Sequence, residues 1–238
     1  MAIPNCREMF IPDNGREMFD LDLDSADLRI VTWESNCRGM KDLFAAGVKP
    51  YVAVAQEYYH DPSITKSHPA YQVFKKLCHG TNYMGKPPTI AGQCGLLVND
   101  VTRIQKWYFE KFPEIKQWQE RLTKKAERTA TMENAFGYRR RWFDRVEGNI
   151  INEMVAWIPQ STVAIIINHA YTNIDANLPD VDILLQVHDS LTGQFPLEDR
   201  EKHIADITRE STIVVPYPDP LIVPVGLKLS TDSWGRCK

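Results

Sequence analysis

Hydrophobic and polar residues alternate near the start of the chain and pass to a longer period soon after. Phe19, Leu21 and Leu23 alternate with Asp20, Asp22 and Asp24, the two-residue period of a half-buried β-strand with three carboxylates on its other face. Ser25 reads as the cap of a helix whose first turn carries Asp27. Apolar positions at Val31, Trp33, Met40, Leu43 and Phe44 continue at helical spacing to a break at Gly47-Val-Lys-Pro50. A short helix is predicted over 51–59, ending before Asp61-Pro62, and Ser67-His-Pro69 opens a longer one that runs to Gly85 and is stopped by Pro87-Pro88. Helices over about 89–97 and 99–127 follow, the second interrupted near Phe112-Pro113. Residues 129–145 read as a turn-rich hairpin around Phe136-Gly137-Tyr138.

The segment 149–177 is mostly apolar and helical, with Pro159 inside it and a kink expected there. Ile183–Val187 and Leu191–Phe195 flank His188-Asp189-Ser190, which predicts a β-hairpin with an acid at its tip. A helix over 198–210 and a strand near 221–229 close the chain. Strand, many helices, hairpin, helix, strand is an α+β layout in which a helical insertion separates two acid-bearing β segments.

At 238 residues the chain can bury a substantial core in one large domain or two small ones. No apolar run reaches the roughly 18 residues of a membrane span, so no membrane is expected as a partner. The start has no basic region followed by an apolar one, which argues against secretion. Five scattered cysteines without CxxC spacing fit a reduced, cytoplasmic setting and disfavour zinc. A net charge of −3 argues against a generic nucleic-acid binder. Its distribution says more: acids gather at 20–27 and 175–206, and cations at Lys106–Lys125 and Arg139-Arg140-Arg141. An acidic centre with basic flanks suits an enzyme holding metal and polyanion together, and a solvated helix face accounts equally well for the lysines.

A row of like charges on one strand is costly unless cations sit on it. Asp189 is a second acid at the end of an apolar run, and two such acids meeting around divalent metal would make a site for phosphoryl or nucleotidyl transfer. A solvated strand face or an ordinary turn accounts for either motif alone. An independent feature is the face of the helix before Gly85. Tyr71, Lys75, His79 and Tyr83 recur every fourth residue along about 18 Å of helix, so a cation and aromatic rings could meet a triphosphate and a base. A half-buried amphipathic surface helix explains the same spacing. Gly80, inside that helix, costs about 1 kcal/mol relative to alanine and points to a close packing contact. No glycine-rich phosphate loop is present.

Three segments carry a resemblance. Asp22-Leu-Asp-Ser-Ala-Asp27-Leu-Arg29, Lys75-Lys-Leu-Cys-His79-Gly80-Thr-Asn-Tyr83 and Gln186-Val-His188-Asp189 resemble, in order, the three polymerase motifs of family A (bacterial DNA polymerase I-like) DNA polymerases. Trp107-Tyr-Phe-Glu-Lys-Phe-Pro113-Glu-Ile-Lys-Gln-Trp118, Phe136-Gly-Tyr-Arg-Arg-Arg141 and Ile158-Pro-Gln160-Ser-Thr162 are similar to the connecting segments. The likeness runs from about Arg7 to Trp234. It implies a palm over 1–40 and 146–238 and a large helical fingers insertion over 41–145, without thumb or exonuclease. Asp22 and Asp189 would hold two Mg²⁺ ions (Mn²⁺ as a substitute), with the Leu23 carbonyl as a further ligand. Lys75 and Tyr71 would face the triphosphate, Lys75 as proton donor to pyrophosphate, while His79 and Tyr83 stack near base and sugar. Asp27 stands where a Glu usually excludes ribonucleotides. Arg29, Gln160 and His188 would contact primer-template DNA or brace the site.

The departures are as specific. Tyr71 replaces an Arg, His79 and Met84 replace residues more often aromatic or aliphatic and Gly, and Ser190 replaces an acid after Asp189. None removes a metal ligand, so the resemblance implies a divergent, phage-like, template-directed polymerase acting on dNTPs in a bacterial or phage-infected cell. The chain starts just before the first motif, which fits the second half of a split enzyme with an N-terminal partner bearing thumb and exonuclease, a domain of a longer protein, or a gene fragment. The rival readings are a catalytically incomplete DNA-binding part, a metal nuclease on the same carboxylates, and a single-subunit RNA polymerase, which Asp27 disfavours.

Overall fold

The computed structural model describes residues 5–238; residues 1–4, part of the stretch read for a secretion signal, lie outside them. Strand β1 (Arg16–Leu23) leads into helices α1 (Ala26–Ser35), α2 (Arg38–Ala45), α3 (Pro50–Tyr59) and α4 (Pro69–Asn82). Helices α5 (Pro87–Cys94), α6 (Val98–Lys111) and α7 (Pro113–Thr129) follow, then a hairpin of β2 (Thr131–Glu133) and β3 (Arg139–Arg141). The long α8 (Asn149–Asn177) precedes β4 (Asp182–Val187), β5 (Ser190–Pro196), α9 (Arg200–Glu210), β6 (Val214–Val215), β7 (Leu221–Ile222) and β8 (Val225–Ser230). The chain forms two compact units, Met1–Asp27 with Gln160–Lys238, and Leu28–Pro159. Their borders fall inside α1 and α8.

The first unit is built on a four-stranded antiparallel sheet in the order β4-β5-β1-β8. β1 is central, so both its edges are paired and its interior side chains are shielded on either side. One face carries Phe19, Leu21, Leu191 and Phe195, all fully buried, with the Phe19 and Phe195 rings stacked at 6.3 Å. Glu17 is buried and takes hydrogen bonds from the Arg200 guanidinium at the start of α9, the closer at 2.6 Å. The other face is polar, but less open than the alternation suggested. Asp20 is only 8% exposed and accepts a 3.3 Å hydrogen bond from Thr192. Asp24 lies beyond β1 in the following turn. Two of the three carboxylates therefore belong to the strand.

The second unit is helical around one core that includes Met40, Val54, Phe74, Leu77, Tyr108, Phe112 and Trp118. Four of its helices, α3, α4, α5 and α7, begin with proline at the first positions, where the missing N–H costs no helical bond. The helix expected to continue through Phe44 instead breaks after Ser35. Asn36 takes a left-handed conformation (φ 53°) and the Cys37 N–H reaches back to the Thr32 carbonyl at 3.0 Å, a helix-ending turn that Asn tolerates better than most residues. Ser25, expected as a helix cap, is itself left-handed and donates its hydroxyl to Asp24. The strand expected near 221–229 is split into β7 and β8, and β6, which pairs with β7, carries no alternation long enough to read from sequence.

One helix among the described residues, α8, is long and apolar enough to cross a membrane, with a mean hydropathy of 1.5 over its best window. This corrects the expectation that no run reaches that length. Met154, Val155 and Ile158 belong to the helical unit's core, and Val163, Ile166, Ile167, Ala170 and Ile174 are buried as well, while 44% of that window is buried in all. Pro159 stands inside the helix, where it leaves the Val155 carbonyl without its helical donor.

Gly193, paired with Phe19 across β1–β5, shows how tight this sheet is. A Cβ there would collide with the Asp182 carbonyl oxygen and lie 2.5 Å from the Phe19 ring. Gly193→Ala is therefore expected to destabilise the protein by about 2–3 kcal/mol through overpacking, read as a lower urea midpoint at unchanged m-value.

Candidate active site

β1 ends at Leu23, and the hairpin between β4 and β5 turns through only two residues, His188 and Asp189. In the antiparallel register Asp22 lies opposite Ser190, and the Leu23 N–H donates to the Asp189 carbonyl at 3.3 Å. Asp22 and Asp189, distant in sequence, are thus neighbours through backbone pairing. On its other side Asp22 faces Gly226 of β8. Its cross-strand neighbours are a serine and a glycine, which crowd the carboxylate least. Asp22 and Asp189 are both half-buried. His188 takes a left-handed conformation (φ 54°) that lets the hairpin close in two residues, and its side chain is exposed.

Whether these residues suit magnesium can be judged from their donors. The described residues contain no group of three or more His, Cys, Asp or Glu side chains arranged to hold a metal, so a closed zinc-type cage is absent among them. Mg²⁺ asks for less: one or two carboxylates, with waters and substrate phosphates completing the shell. Two aspartates and backbone carbonyl oxygen fit that demand. Burial, with Asp20 and Glu17 adding, pushes the Cys237 thiol up to about 11, and burial pushes Cys37 up to about 12.

The other residues singled out from sequence fall as follows. Asp27 is half-buried in the first turn of α1, where the helix dipole favours an acid. The Arg29 guanidinium stacks over the Phe44 ring at 4.1 Å. Gln160 is exposed on α8. Tyr71, Lys75 and His79 share one face of α4, Lys75 exposed and the other two half-buried, while Phe74, Leu77, Cys78 and Thr81 are buried along the adjoining side. α4 ends at Asn82, three residues earlier than expected. Tyr83 is its cap, and its ring packs edge-on against His79 at 4.6 Å. Gly80 meets the Ile90 side chain, which would lie 3.1 Å from an added Cβ, the close contact expected of it.

Sequence reasoning missed the polar side chains that support the end of α4. Gln119, 5% exposed on α7, donates to the Thr81 and Asn82 carbonyls. Gln105 and Tyr108 of α6 donate to Thr81 and Asn82 side chains. Burial pushes the Tyr108 phenol well above its ordinary range, so it stays a neutral donor. A signal existed in the polar Gln119 among the apolar positions Ile115, Trp118, Leu122 and Ala126 of α7.

An acidic strand tied to an acidic hairpin, with a helical unit between them in the chain, defines an α+β fold shared with a solved polymerase. The POL domain of Pol1 from M. smegmatis, in a complex with DNA primer-template and dNTP, superposes with a TM-score of 0.86 over 97% of this chain and 42% of that one, at 20% identity. The family model described as DNA polymerase family A matches residues 2–235, and the chain belongs to that family. It is 23% identical over 96% of its length to the DNA polymerase of Mycobacterium phage D29, of which it covers 36%. To the thermostable DNA polymerase I of Thermus aquaticus it is 24% identical over 93% of its length, covering 28% of that protein. The chain therefore spans about a third or less of these relatives.

If the two aspartates hold magnesium, Mg²⁺ at tenfold its Kd should raise the melting temperature by about 3–6 °C. In Asp22→Asn and Asp189→Asn that shift should vanish, while metal-free melting stays unchanged or rises, because a like charge has gone. Calorimetric melting with and without Mg²⁺ checks both.

Proposed function

We propose that this chain is the catalytic core of a template-directed DNA polymerase, with the sheet unit as palm and the helical unit as fingers. The observation that carries the reading is the Leu23 N–H bond to the Asp189 carbonyl, which fixes two acids side by side in a chain of this family. Asp22 and Asp189 would hold two Mg²⁺ ions, with Mn²⁺ as a substitute and the Leu23 carbonyl as a further oxygen donor. When bound, such ions acidify a primer 3′-hydroxyl and neutralise the triphosphate and its pyrophosphate leaving group.

The chain's own residues do the rest. The Lys75 ammonium, exposed on α4, donates charge-assisted hydrogen bonds to the phosphates and gives a proton to pyrophosphate as it leaves. Tyr71, one turn earlier, adds a hydroxyl donor where a second cation would be stronger. His79 and Tyr83, already in ring contact, offer an apolar surface to base and sugar. Asp27 excludes a ribose 2′-hydroxyl, less tightly than a longer Glu would. Arg29, Gln160 and His188 contact the primer-template or brace the site. The partners are primer-template DNA and dNTPs, with an upstream polymerase segment bearing thumb and exonuclease as a further one, and the setting is the cytoplasm.

Primer extension tests this. Asp22→Ala or Asp189→Ala should cut incorporation by about a thousandfold or more, as expected when a group worth several kcal/mol to the transition state is lost. The assay is run on the chain alone and with an upstream family A segment added. Extension by either variant at the wild-type rate refutes the assignment. Binding of primer-template without extension under both conditions supports a DNA-binding role in its place. Lys75→Ala should slow incorporation roughly a hundredfold and weaken dNTP binding more than DNA binding. Pre-steady-state kinetics separate the two, and an unchanged rate removes α4 from the reaction.

A further inference from the structure

The C-terminal turn of α4 is held with unusual completeness. An α-helix leaves its last four carbonyls without helical partners, here those of His79, Gly80, Thr81 and Asn82. The His79 carbonyl accepts the Tyr83 N–H, and the Gly80 carbonyl accepts the Gly85 N–H at 2.7 Å. The Thr81 carbonyl accepts the Met84 N–H at 3.1 Å and the Gln119 side-chain amide at 2.8 Å. The same Gln119 amide reaches the Asn82 carbonyl at 2.9 Å. All four carbonyls are satisfied.

Side chains from the neighbouring helices extend this hold beyond the carbonyls. The Gln105 amide donates to the Thr81 hydroxyl at 3.1 Å and to the Gly85 carbonyl at 3.0 Å, and the Tyr108 hydroxyl donates to the Asn82 side-chain oxygen at 3.0 Å. Asn152 of α8 donates to the Met84 carbonyl at 3.4 Å. Met84 needs such support: it sits at φ 59°, a left-handed position that glycine fills without strain. Gly85 has no alternative, because a Cβ there would lie 2.7 Å from the Gly80 carbonyl oxygen.

The turn so held is the one that carries His79 and Tyr83. A buried glutamine at an apolar position of α7 costs desolvation and side-chain entropy that a leucine or methionine would not, so packing alone does not account for it. We infer that Gln119, assisted by Gln105 and Tyr108, is a positioning residue whose side-chain amide locks the end of α4 and so holds the His79 and Tyr83 rings in register for the incoming nucleotide. This rests on the proposed reading of α4 as the nucleotide-binding face. It assigns to α6 and α7 a part in nucleotide selection through α4, without contact with the nucleotide.

The test uses the full chain with Gln119→Met, which keeps length and bulk and removes both donated hydrogen bonds. The expected result is an apparent KM for dNTP raised about fivefold to tenfold with kcat changed by less than about twofold. Amide hydrogen exchange at Met84 and Gly85 should quicken by a similar factor. Tyr108→Phe removes a single hydroxyl without opening a cavity, and should shift both readouts in the same direction by about twofold. Unchanged KM and unchanged exchange in both variants overturn the inference. So does a joint fall of kcat and melting temperature with KM constant, which would make Gln119 merely structural. If Lys75→Ala leaves dNTP affinity untouched, the nucleotide reading of α4 fails instead, and exchange at Met84 and Gly85 alone decides whether the lock exists.

Discussion

Two carboxylates can be neighbours in a folded protein only if something else holds them there. Unit charges about 4 Å apart repel by roughly 4 kcal/mol at an effective dielectric of about 20. Here the restraint is backbone pairing: β1 is hydrogen-bonded on both edges, and its last residue bonds the hairpin turn at Asp189. Phe19, Leu21, Leu191 and Phe195 seal the opposite face of the same two strands. The sheet thus carries whatever cost comes with bringing the acids together. The residues paired with Asp22 on either side, Ser190 and Gly226, are both small.

The helical unit meets a different demand, that of fitting many short helices around one core. Proline starts four of them, and left-handed residues at Asn36, His60, Gly95 and Ala130 follow the ends of α1, α3, α5 and α7. Helices with such firm ends can be short, because their polar termini are settled locally. α4 differs in that its end is settled by other helices. Gln105, Tyr108 and Gln119 tie it to α6 and α7, so the face bearing Lys75 is anchored where its aromatic residues lie.

Much of this was legible before any coordinates. The order of the main elements, a hairpin around His188-Asp189-Ser190 and the interruption at Phe112-Pro113 follow from period, turn chemistry and proline, although the turn itself is one residue shorter because Ser190 already pairs with Val187. The resemblance of three ordered motifs named the family that the whole-chain comparison shows. Less legible were features that depend on contacts across the fold. The alternation around Asp20 suggested an open acidic face, yet Thr192 and the neighbouring strands bury that carboxylate. Asn36 offered no periodic signal that it would break a helix. Gln119 looked like one more polar residue on a charged helix, because its two acceptors lie on another element.

The hairpin at Asp189 has a consequence for how such a protein can vary. Strand side chains swap sides with every residue, and Gly193 leaves no clearance beside Phe19. Adding a single amino acid at His188-Asp189 would have to slide β4 or β5 by one step, turning an oily surface outward or swinging the acid away from Asp22. The tip tolerates a change of letter far better than a change of length, and its economy of two residues acts as a ruler for where Asp189 stands beside β1.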